Sequence, residues 1–232
     1  MKPCVLRHNM NDALNILSCV KPDRILVTAK SSSGKSYFAQ QLQTRGYHVI
    51  ETDKLVEKLL SEFAEINGYD KNDLELRNFF FGLYGAETVH NRQFRQDFVK
   101  LIHDEFDRRG GGLPVIVDGA IKDVALIHEI FTGKFANFTL VYLYPTSIKR
   151  YYDRLYARTM LDLQENKHTL PFWEEIAADM RDAMEERYRT DGKLLPESTA
   201  VLKKHAREMT LASRERYSML LEAGLSVYRV NV

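Results

Sequence analysis

Short apolar runs, bounded by turn residues, alternate with longer amphipathic segments along most of the chain. The apolar runs predict buried strands over residues 25–28, 47–51, 115–118, 140–144 and 225–232. Helical patterns separate these runs, which predicts right-handed crossovers and a mostly parallel sheet. We therefore predict a three-layer α/β fold of about five strands with helices on both faces, in which ligands bind beyond the carboxyl ends of the strands.

The other helical patterns predict one domain over residues 1–232 with three helical additions. Residues 66–112 form an insertion between the second and third strands, which we interpret as an acceptor-binding region. Residues 146–170 predict a lid-like helix region, and residues 171–224 predict a helical C-terminal extension. The C-terminal helices are expected to pack against the core, and contact with a partner helix or with a second copy of the chain is the alternative. A weak helix over residues 11–20 has Asn11 as its predicted N-cap.

The composition of the chain mainly excludes classes of partner and of cellular compartment. Acidic and basic residues nearly cancel, at a formal net charge of +1 over 232 residues, so we expect neither nucleic acid nor an anionic membrane as a partner. The two cysteines, Cys4 and Cys19, are typical of a reducing compartment rather than of a disulfide-stapled secreted domain. Because no apolar signal core or membrane-spanning run is found, we expect a cytoplasmic protein.

The loop after the first predicted strand carries the clearest chemical signal. The segment follows the pattern G-x-x-x-x-G-K-[ST], which Gly34, Lys35 and Ser36 complete. Ala29 stands in place of its first glycine. In such a loop, backbone N–H groups wrap the phosphates, the lysine reaches the β and γ oxygens, and the serine hydroxyl ligates Mg²⁺. We therefore predict binding of a nucleoside triphosphate with Mg²⁺. The predicted binding residues are Ala29, Lys30, Ser31, Ser32, Ser33, Gly34, Lys35, Ser36 and Tyr37.

Two aspartates follow strands that should neighbour this loop. Asp53 lies at the end of the second predicted strand and Asp118 at the end of the third, so both carboxylates are expected to face the γ-phosphate and its metal. We predict that Asp53 faces the acceptor as a base and that Asp118 joins Ser36 in holding Mg²⁺. The alternatives are that Asp53 caps the following helix and that Asp118 is a turn residue before Gly119.

Arginines recur on the helix that follows the fourth predicted strand. Arg150, Arg154 and Arg158 are spaced four residues apart and so share one helix face. Guanidinium groups suit the spread charge of a transferring phosphoryl group, so this face is predicted to clamp phosphates; a solvated basic face is the alternative. A second basic cluster lies in the insertion, as weaker evidence for an acceptor site, and comprises Arg92, Arg95, Arg108 and Arg109.

These motifs together resemble those of the P-loop small-molecule and nucleotide kinases. Dephospho-CoA kinases are the most similar, through the phosphate loop, the segment GYHVIETDKLVEKLL over residues 46–60, and RLYAR over residues 154–158. The resemblance implies a P-loop NTPase fold, ATP with Mg²⁺ as donor, Asp53 facing the acceptor hydroxyl, and Arg154 and Arg158 as lid arginines. The segment Glu51-Thr52-Asp53, together with Phe94-Arg95 further on, is also similar to the acidic pair and the Phe-Arg motif of shikimate kinases.

The function we predict is ATP-dependent phosphoryl transfer to a small metabolite or nucleotide, with Lys35, Asp53, Arg154 and Arg158 as catalytic residues. Two alternatives stay open at this stage. One is an ATP- or GTP-hydrolysing switch in which Asp118 holds the metal, although the chain has no guanine-reading N-K-x-D phrase. The other is a nucleotide-binding scaffold without kinase activity, although Lys35 and Ser36 are both intact.

Overall fold

The computed structural model describes residues 6–30, 32–83, 92–108, 114–121, 123–165 and 178–232. Within these ranges, six strands form one sheet: β1 (Leu6–Asn9), β2 (Arg24–Thr28), β3 (His48–Glu51), β4 (Val115–Asp118), β5 (Thr139–Tyr144) and β6 (Val227–Asn231). Their order across the sheet is β1-β6-β5-β2-β4-β3, and every neighbouring pair is parallel. The predicted α/β class and parallel sheet are confirmed.

The same ranges contain helices between and after the strands. They are α1 (Met10–Val20), α2 (Lys35–Gln43), α3 (Thr52–Asn67), α4 (Leu74–Leu83), α5 (Arg92–Arg108), α6 (Val124–Ile130), α7 (Ile148–Gln164), α8 (Ala178–Asp191) and α9 (Pro196–Glu222). Helices α4 and α5 belong to the predicted insertion, whose residues 84–91 and 109–112 lie outside the described ranges. Residues 166–177, at the junction of the predicted lid and extension, also lie outside them.

Two expectations for the N-terminal segment were wrong. The sheet has a sixth strand, β1, which pairs with β6 from Leu6 opposite Tyr228 to Asn9 opposite Asn231. Helix α1 is capped by Asn9 rather than Asn11, because the Asn9 side-chain oxygen accepts a hydrogen bond from the backbone N–H of Asp12 at 2.9 Å. The cap is thus the last residue of the strand, so β1 turns directly into α1.

The central strands are buried on both faces because helices cover each side of the sheet. On one face, Leu26 and Tyr142 pack with apolar side chains of α3, α5, α6 and α9. On the other, Ile25 and Val27 pack with side chains of α1 and α2. This alternation along β2 follows from the two-residue period of a strand and gives the three predicted layers.

Helix α9 ties the C-terminal part of the chain to the sheet. Tyr217 and Leu220 of α9 belong to the core cluster beside the sheet, whereas Leu202 and Ala206 pack with α7 and α8 in a third cluster. The prediction that the C-terminal helices pack against the core is therefore confirmed for α9, whereas the described part of α8 packs in the third cluster. In the part of the chain that the structure describes, no helix combines the length and apolar character needed to cross a membrane.

Candidate functional site

A cleft of about 450 Å³ opens beyond the carboxyl ends of β2, β3 and β4. All four residues predicted to be catalytic, Lys35, Asp53, Arg154 and Arg158, line this cleft. Both residues predicted to hold a metal, Ser36 and Asp118, line it as well. The structure thus brings together side chains from α2, α3, β4 and α7 that are far apart in the sequence.

The loop between β2 and α2 shapes one wall of the cleft. Gly34 adopts φ = +90° immediately before the helix, a left-handed conformation that favours glycine over any side-chain-bearing residue. The first turn of α2 follows at once, and Lys35, Ser36 and Tyr37 all line the cleft. The positive end of the helix dipole is therefore presented to an anion bound there.

The surroundings of Ala29 show why alanine can stand where the loop pattern has its first glycine. The residue is completely buried among side chains of α1 and α2, and its φ lies outside the positive range. A methyl group fits where the strand turns into the loop, so only a small side chain is required.

Not every predicted loop residue reaches the cleft. Ser32, Gly34, Lys35, Ser36 and Tyr37 line it, whereas Ala29, Lys30 and Ser33 do not, and Ser31 lies outside the described residues. Ala29 is instead part of the core, and Lys30 contributes a backbone carbonyl to the loop. The Ser33 hydroxyl is buried and has no hydrogen-bond partner among the described residues.

Lys35 is half-buried within this site. Its Nζ donates to the carbonyl oxygen of Lys30 at 3.2 Å, which folds the side chain back over the loop. Burial lowers the pKa of Lys35, the charges of Asp118 and Asp53 act in the opposite direction, and the charge of Arg216 lowers it further. The site thus holds a desolvated cation beside two carboxylates.

Asp118 is buried at the end of β4, beside Lys35 and Ser36. Burial raises the pKa of this carboxyl, while the charge of Lys35 and a hydrogen bond with Ser36 lower it. Among the described residues, Asp118 Oδ1 is buried and has no hydrogen-bond partner. Carboxylate and hydroxyl oxygens are the ligands that Mg²⁺ prefers, and it commonly takes only one or two from protein. Asp118 and Ser36 therefore fit a bound Mg²⁺.

Asp53 lies in the first turn of α3 and not, as predicted, at the end of a strand. Strand β3 ends two residues earlier, and Glu51 occupies the N-cap position without a side-chain capping bond. The capping alternative for Asp53 is therefore wrong, although a carboxylate in the first turn does stabilise a helix. Asp53 is exposed to the cleft, and its charge acts on Lys35.

Arg154 is docked against the loop. Its Nε donates to the carbonyl oxygen of Ser32 at 3.1 Å, across 122 positions of the sequence. Its Nη2 is buried with no hydrogen-bond partner in the described ranges, and burial lowers the pKa of this guanidinium. This half-buried cation with an unused donor differs from the solvated basic face that was the alternative interpretation.

Arg158 is oriented by a buried partner. Its Nε donates to Asp162 Oδ1 at 3.0 Å, and the Asp162 side chain is only 1% exposed. Arg150, the third arginine of the face, does not line the cleft and instead lines an adjoining cavity.

Two arginines of the second basic cluster, Arg95 and Arg108, form ion pairs. Arg95 of α5 forms ion pairs with Asp123 and, at 2.8 Å, with Glu129, which brace α5 against α6. Arg108 pairs with Glu105 within α5 at 2.6 Å, and Arg109 lies outside the described residues. Arg92, Arg95 and Arg108 do not line the cleft, so the described part of the cluster gives no support to its interpretation as an acceptor site.

Sequence reasoning missed three contributions to the site. Glu51 and Gly119 line the cleft beside Asp53 and Asp118. Arg216 of α9 is buried next to the cleft. Its Nη2 donates to Thr28 Oγ1 at 3.2 Å and to two carbonyl oxygens, that of Ala120 at 3.0 Å and that of Ile121. Glu51 was visible as part of the acidic phrase before α3, whereas no local pattern distinguishes Arg216 from its charged neighbours.

Comparison with models of protein families finds no family that matches the chain, and comparison with curated proteins finds no significant match.

Proposed function

We propose that the chain is a P-loop kinase that transfers the γ-phosphoryl group of ATP, with Mg²⁺, to a small metabolite or a nucleotide. The observation that carries the proposal is the convergence in one cleft of Lys35, Ser36 and Asp118 with Asp53 and the arginine pair Arg154 and Arg158. The sheet agrees with a P-loop layout, because the loop follows the central strand β2, which lies between β4 and β5. The resemblance to dephospho-CoA kinases and nucleotide kinases points to the same class.

Each residue has a task in such a reaction. The N-terminus of α2 and the loop amides bind the phosphates. The Lys35 ammonium gives up its hydrogen bond to the Lys30 carbonyl and donates to phosphate oxygens instead. Ser36 and Asp118 hold Mg²⁺, which when bound neutralises charge on the phosphates. Asp53 accepts the proton of the acceptor hydroxyl, and Arg154 and Arg158 stabilise the spread negative charge during transfer.

Two observations favour transfer to an acceptor over hydrolysis. Asp53 is exposed at the cleft, where an acceptor hydroxyl can reach it, and two arginines face the same space from α7. The Arg154 Nη2, which has no hydrogen-bond partner in the described part of the chain, is a donor that a phosphate bound in the cleft would satisfy.

The exposed free thiol of Cys19 suits a reducing compartment, so the proposal includes a cytoplasmic location.

The test is Mg²⁺-dependent ADP release by the purified protein against dephospho-CoA, nucleosides, nucleoside monophosphates and shikimate. We expect one of these acceptor classes to stimulate ADP release, and Lys35→Ala and Asp53→Asn to abolish the stimulation. Lys58→Ala and Asp104→Asn are the matched controls, since both residues are exposed and outside the cleft. ATP binding without stimulation by any acceptor would instead favour a switch or a scaffold.

A further inference from the structure

Arg216 of α9 joins two chain segments that border the candidate site. Its Nη2 donates to Thr28 Oγ1 at 3.2 Å and to the carbonyl oxygens of Ala120, at 3.0 Å, and of Ile121. Thr28 ends β2, directly before the phosphate loop. Ala120 and Ile121 follow shortly after Asp118, the last residue of β4. One nitrogen of the C-terminal helix therefore bridges the chain that enters the loop and the chain that leaves the β4 carboxylate.

The same two segments also hold each other. Thr28 Oγ1 donates to the carbonyl oxygen of Ile121 at 3.1 Å, and the backbone N–H of Gly119 donates to that of Val27 at 3.2 Å. Thr28 and Ile121 are completely buried, and Arg216 is only 6% exposed. Because water does not reach these groups, loss of one bond leaves a buried polar atom unsatisfied. The spacing of the β2 and β4 ends therefore depends on this network.

Helix α9 is anchored to β5 within one turn of Arg216. The Tyr142 hydroxyl donates to the carbonyl oxygen of Ser213 at 2.7 Å. The ring of Tyr217 packs against those of Tyr142 and Tyr144, with centroids 5.6 and 5.2 Å apart. The guanidinium is thus presented to the ends of β2 and β4 by a helix that is itself fixed to the sheet.

Packing alone does not account for an arginine at this position. Its Nε and Nη1 are buried and have no hydrogen-bond partner in the described ranges. A buried cation is costly, and an apolar side chain of similar volume often fills such a space with no loss of stability. Arg216 also lies near the phosphate loop, since its charge adds to the effect of burial in lowering the pKa of Lys35.

We propose that Arg216 is a positioning residue of the metal site, which holds the ends of β2 and β4 together and so keeps Asp118 in place relative to Ser36. The proposal rests on the proposed function, because it takes Ser36 and Asp118 to hold Mg²⁺. Side chains that fix metal ligands from behind are common, and the loss of one typically weakens metal binding about 10- to 100-fold. Helix α9 thereby gains a part in the chemistry of the cleft.

The test measures ATP binding to the full chain by calorimetry, once with Mg²⁺ and once with EDTA. The ratio of the two affinities reports the contribution of the metal ion. Arg216→Lys keeps the positive charge, but its side chain is one atom shorter and cannot reach all three acceptors. We expect it to lower this ratio about tenfold and to leave ATP binding in EDTA within about twofold of wild type.

Arg214→Lys is the matched control, because Arg214 lies on the same helix and donates to a carbonyl oxygen, that of Thr146 at 3.2 Å, but does not line the cleft. Its ratio should equal that of wild type. Thr28→Val is a second variant that removes one acceptor of the network, and it should lower the ratio about threefold. Circular dichroism at the assay temperature checks that each variant is folded.

A double variant tests whether Arg216 acts through Asp118. In an Asp118→Asn background, Arg216→Lys should lower the ratio no further, because the ligand that it positions is already impaired. A full additional loss in that background would overturn the proposed route. Equal losses of ATP affinity with Mg²⁺ and with EDTA would overturn it as well, because they would show that Arg216 supports the loop and not the metal ligand.

Failure of this inference and failure of the proposed function give different results. A wild-type ratio in both Arg216→Lys and Thr28→Val would overturn the inference and leave the proposed function standing. If only Thr28→Val folds, a wild-type ratio in that variant alone overturns it. A wild-type chain that does not bind ATP, or that binds it no more tightly with Mg²⁺, would remove the proposed function and this inference together.

Discussion

A Cβ atom on Gly119 would lie 2.3 Å from Oγ1 of Thr52, so no side chain fits between the end of β4 and the start of α3. Thr52 is completely buried, and the residues next to this contact are Asp118 and Asp53. The close approach of Gly119 to the Thr52 side chain therefore brings Asp118 and Asp53, two of the carboxylates of the cleft, to adjoining positions. Glycine is needed here because of space and not because of an unusual φ.

Gly119→Ala is expected to lower the free energy of unfolding by about 1–3 kcal/mol, because the new methyl group overpacks a filled contact. Urea denaturation measures the loss. Thr52→Ala removes the two nearest atoms, so the double variant should be more stable than the sum of the single effects predicts. Strictly additive losses would show that the two residues do not compete for space.

Arg154→Lys is expected to reduce the kcat of the proposed transfer by about a hundredfold. A guanidinium can hold the Ser32 carbonyl through Nε and still offer its terminal nitrogens to an anion, whereas a single ammonium cannot do both. Steady-state kinetics with the stimulating acceptor measure the effect. Lys149→Ala, a change to an exposed lysine of the same helix, should leave kcat unchanged. Wild-type turnover in Arg154→Lys would contradict the assigned role.

Asp162→Asn is expected to lower kcat by about tenfold through misplacement of Arg158. The neutral amide keeps the shape of the carboxylate but weakens the bond that orients the Arg158 guanidinium. The decisive comparison is made in an Arg158→Ala background, where Asp162→Asn should cause no further loss. A full additional loss in that background would show that Asp162 acts independently of Arg158.

Tyr47 is expected to give the protein a pH-dependent stability at alkaline pH. Its hydroxyl donates to the carbonyl oxygen of Leu17 at 2.9 Å and so anchors α1, and burial raises the pKa of Tyr47 from 10.0 to about 12. A raised pKa means that this stabilisation is complete below pH 10 and is lost as the pH rises through about 12.

Tyr47→Phe should therefore be less stable than wild type by about 1 kcal/mol at pH 8, and the difference should shrink at pH 10 and again at pH 11. Urea unfolding of both proteins at these pH values is the measurement. A difference that stays constant with pH would contradict the pKa shift.

The parts of the fold that the sequence predicted are those encoded by local patterns. Strand β2 and the glycine at position 34 are specified by consecutive residues. The strand ends at the predicted residue and begins one residue earlier, and Gly34 directly precedes α2. The first glycine of the loop could be replaced because Ala29 needs to be small but does not need a positive φ.

The missed features depend on partners far away in the chain. Strand β1 has the polar sequence LRHN and becomes a strand only by pairing with β6, more than two hundred positions later. Arg216 reaches the site from α9, and the sequence around it looks like any charged helix. The partners of Arg95, Asp123 and Glu129, could not be predicted, because they become its neighbours only when α5 packs on α6.

The measurement that tests the central claim most directly is ³¹P nuclear magnetic resonance of the products formed from ATP, Mg²⁺ and the stimulating acceptor. We predict a new phosphoester signal on the acceptor in an amount equal to the ADP formed, and its absence with Lys35→Ala or Asp53→Asn. Release of inorganic phosphate alone, at a rate that Asp53→Asn does not change, would contradict phosphoryl transfer to an acceptor in this cleft.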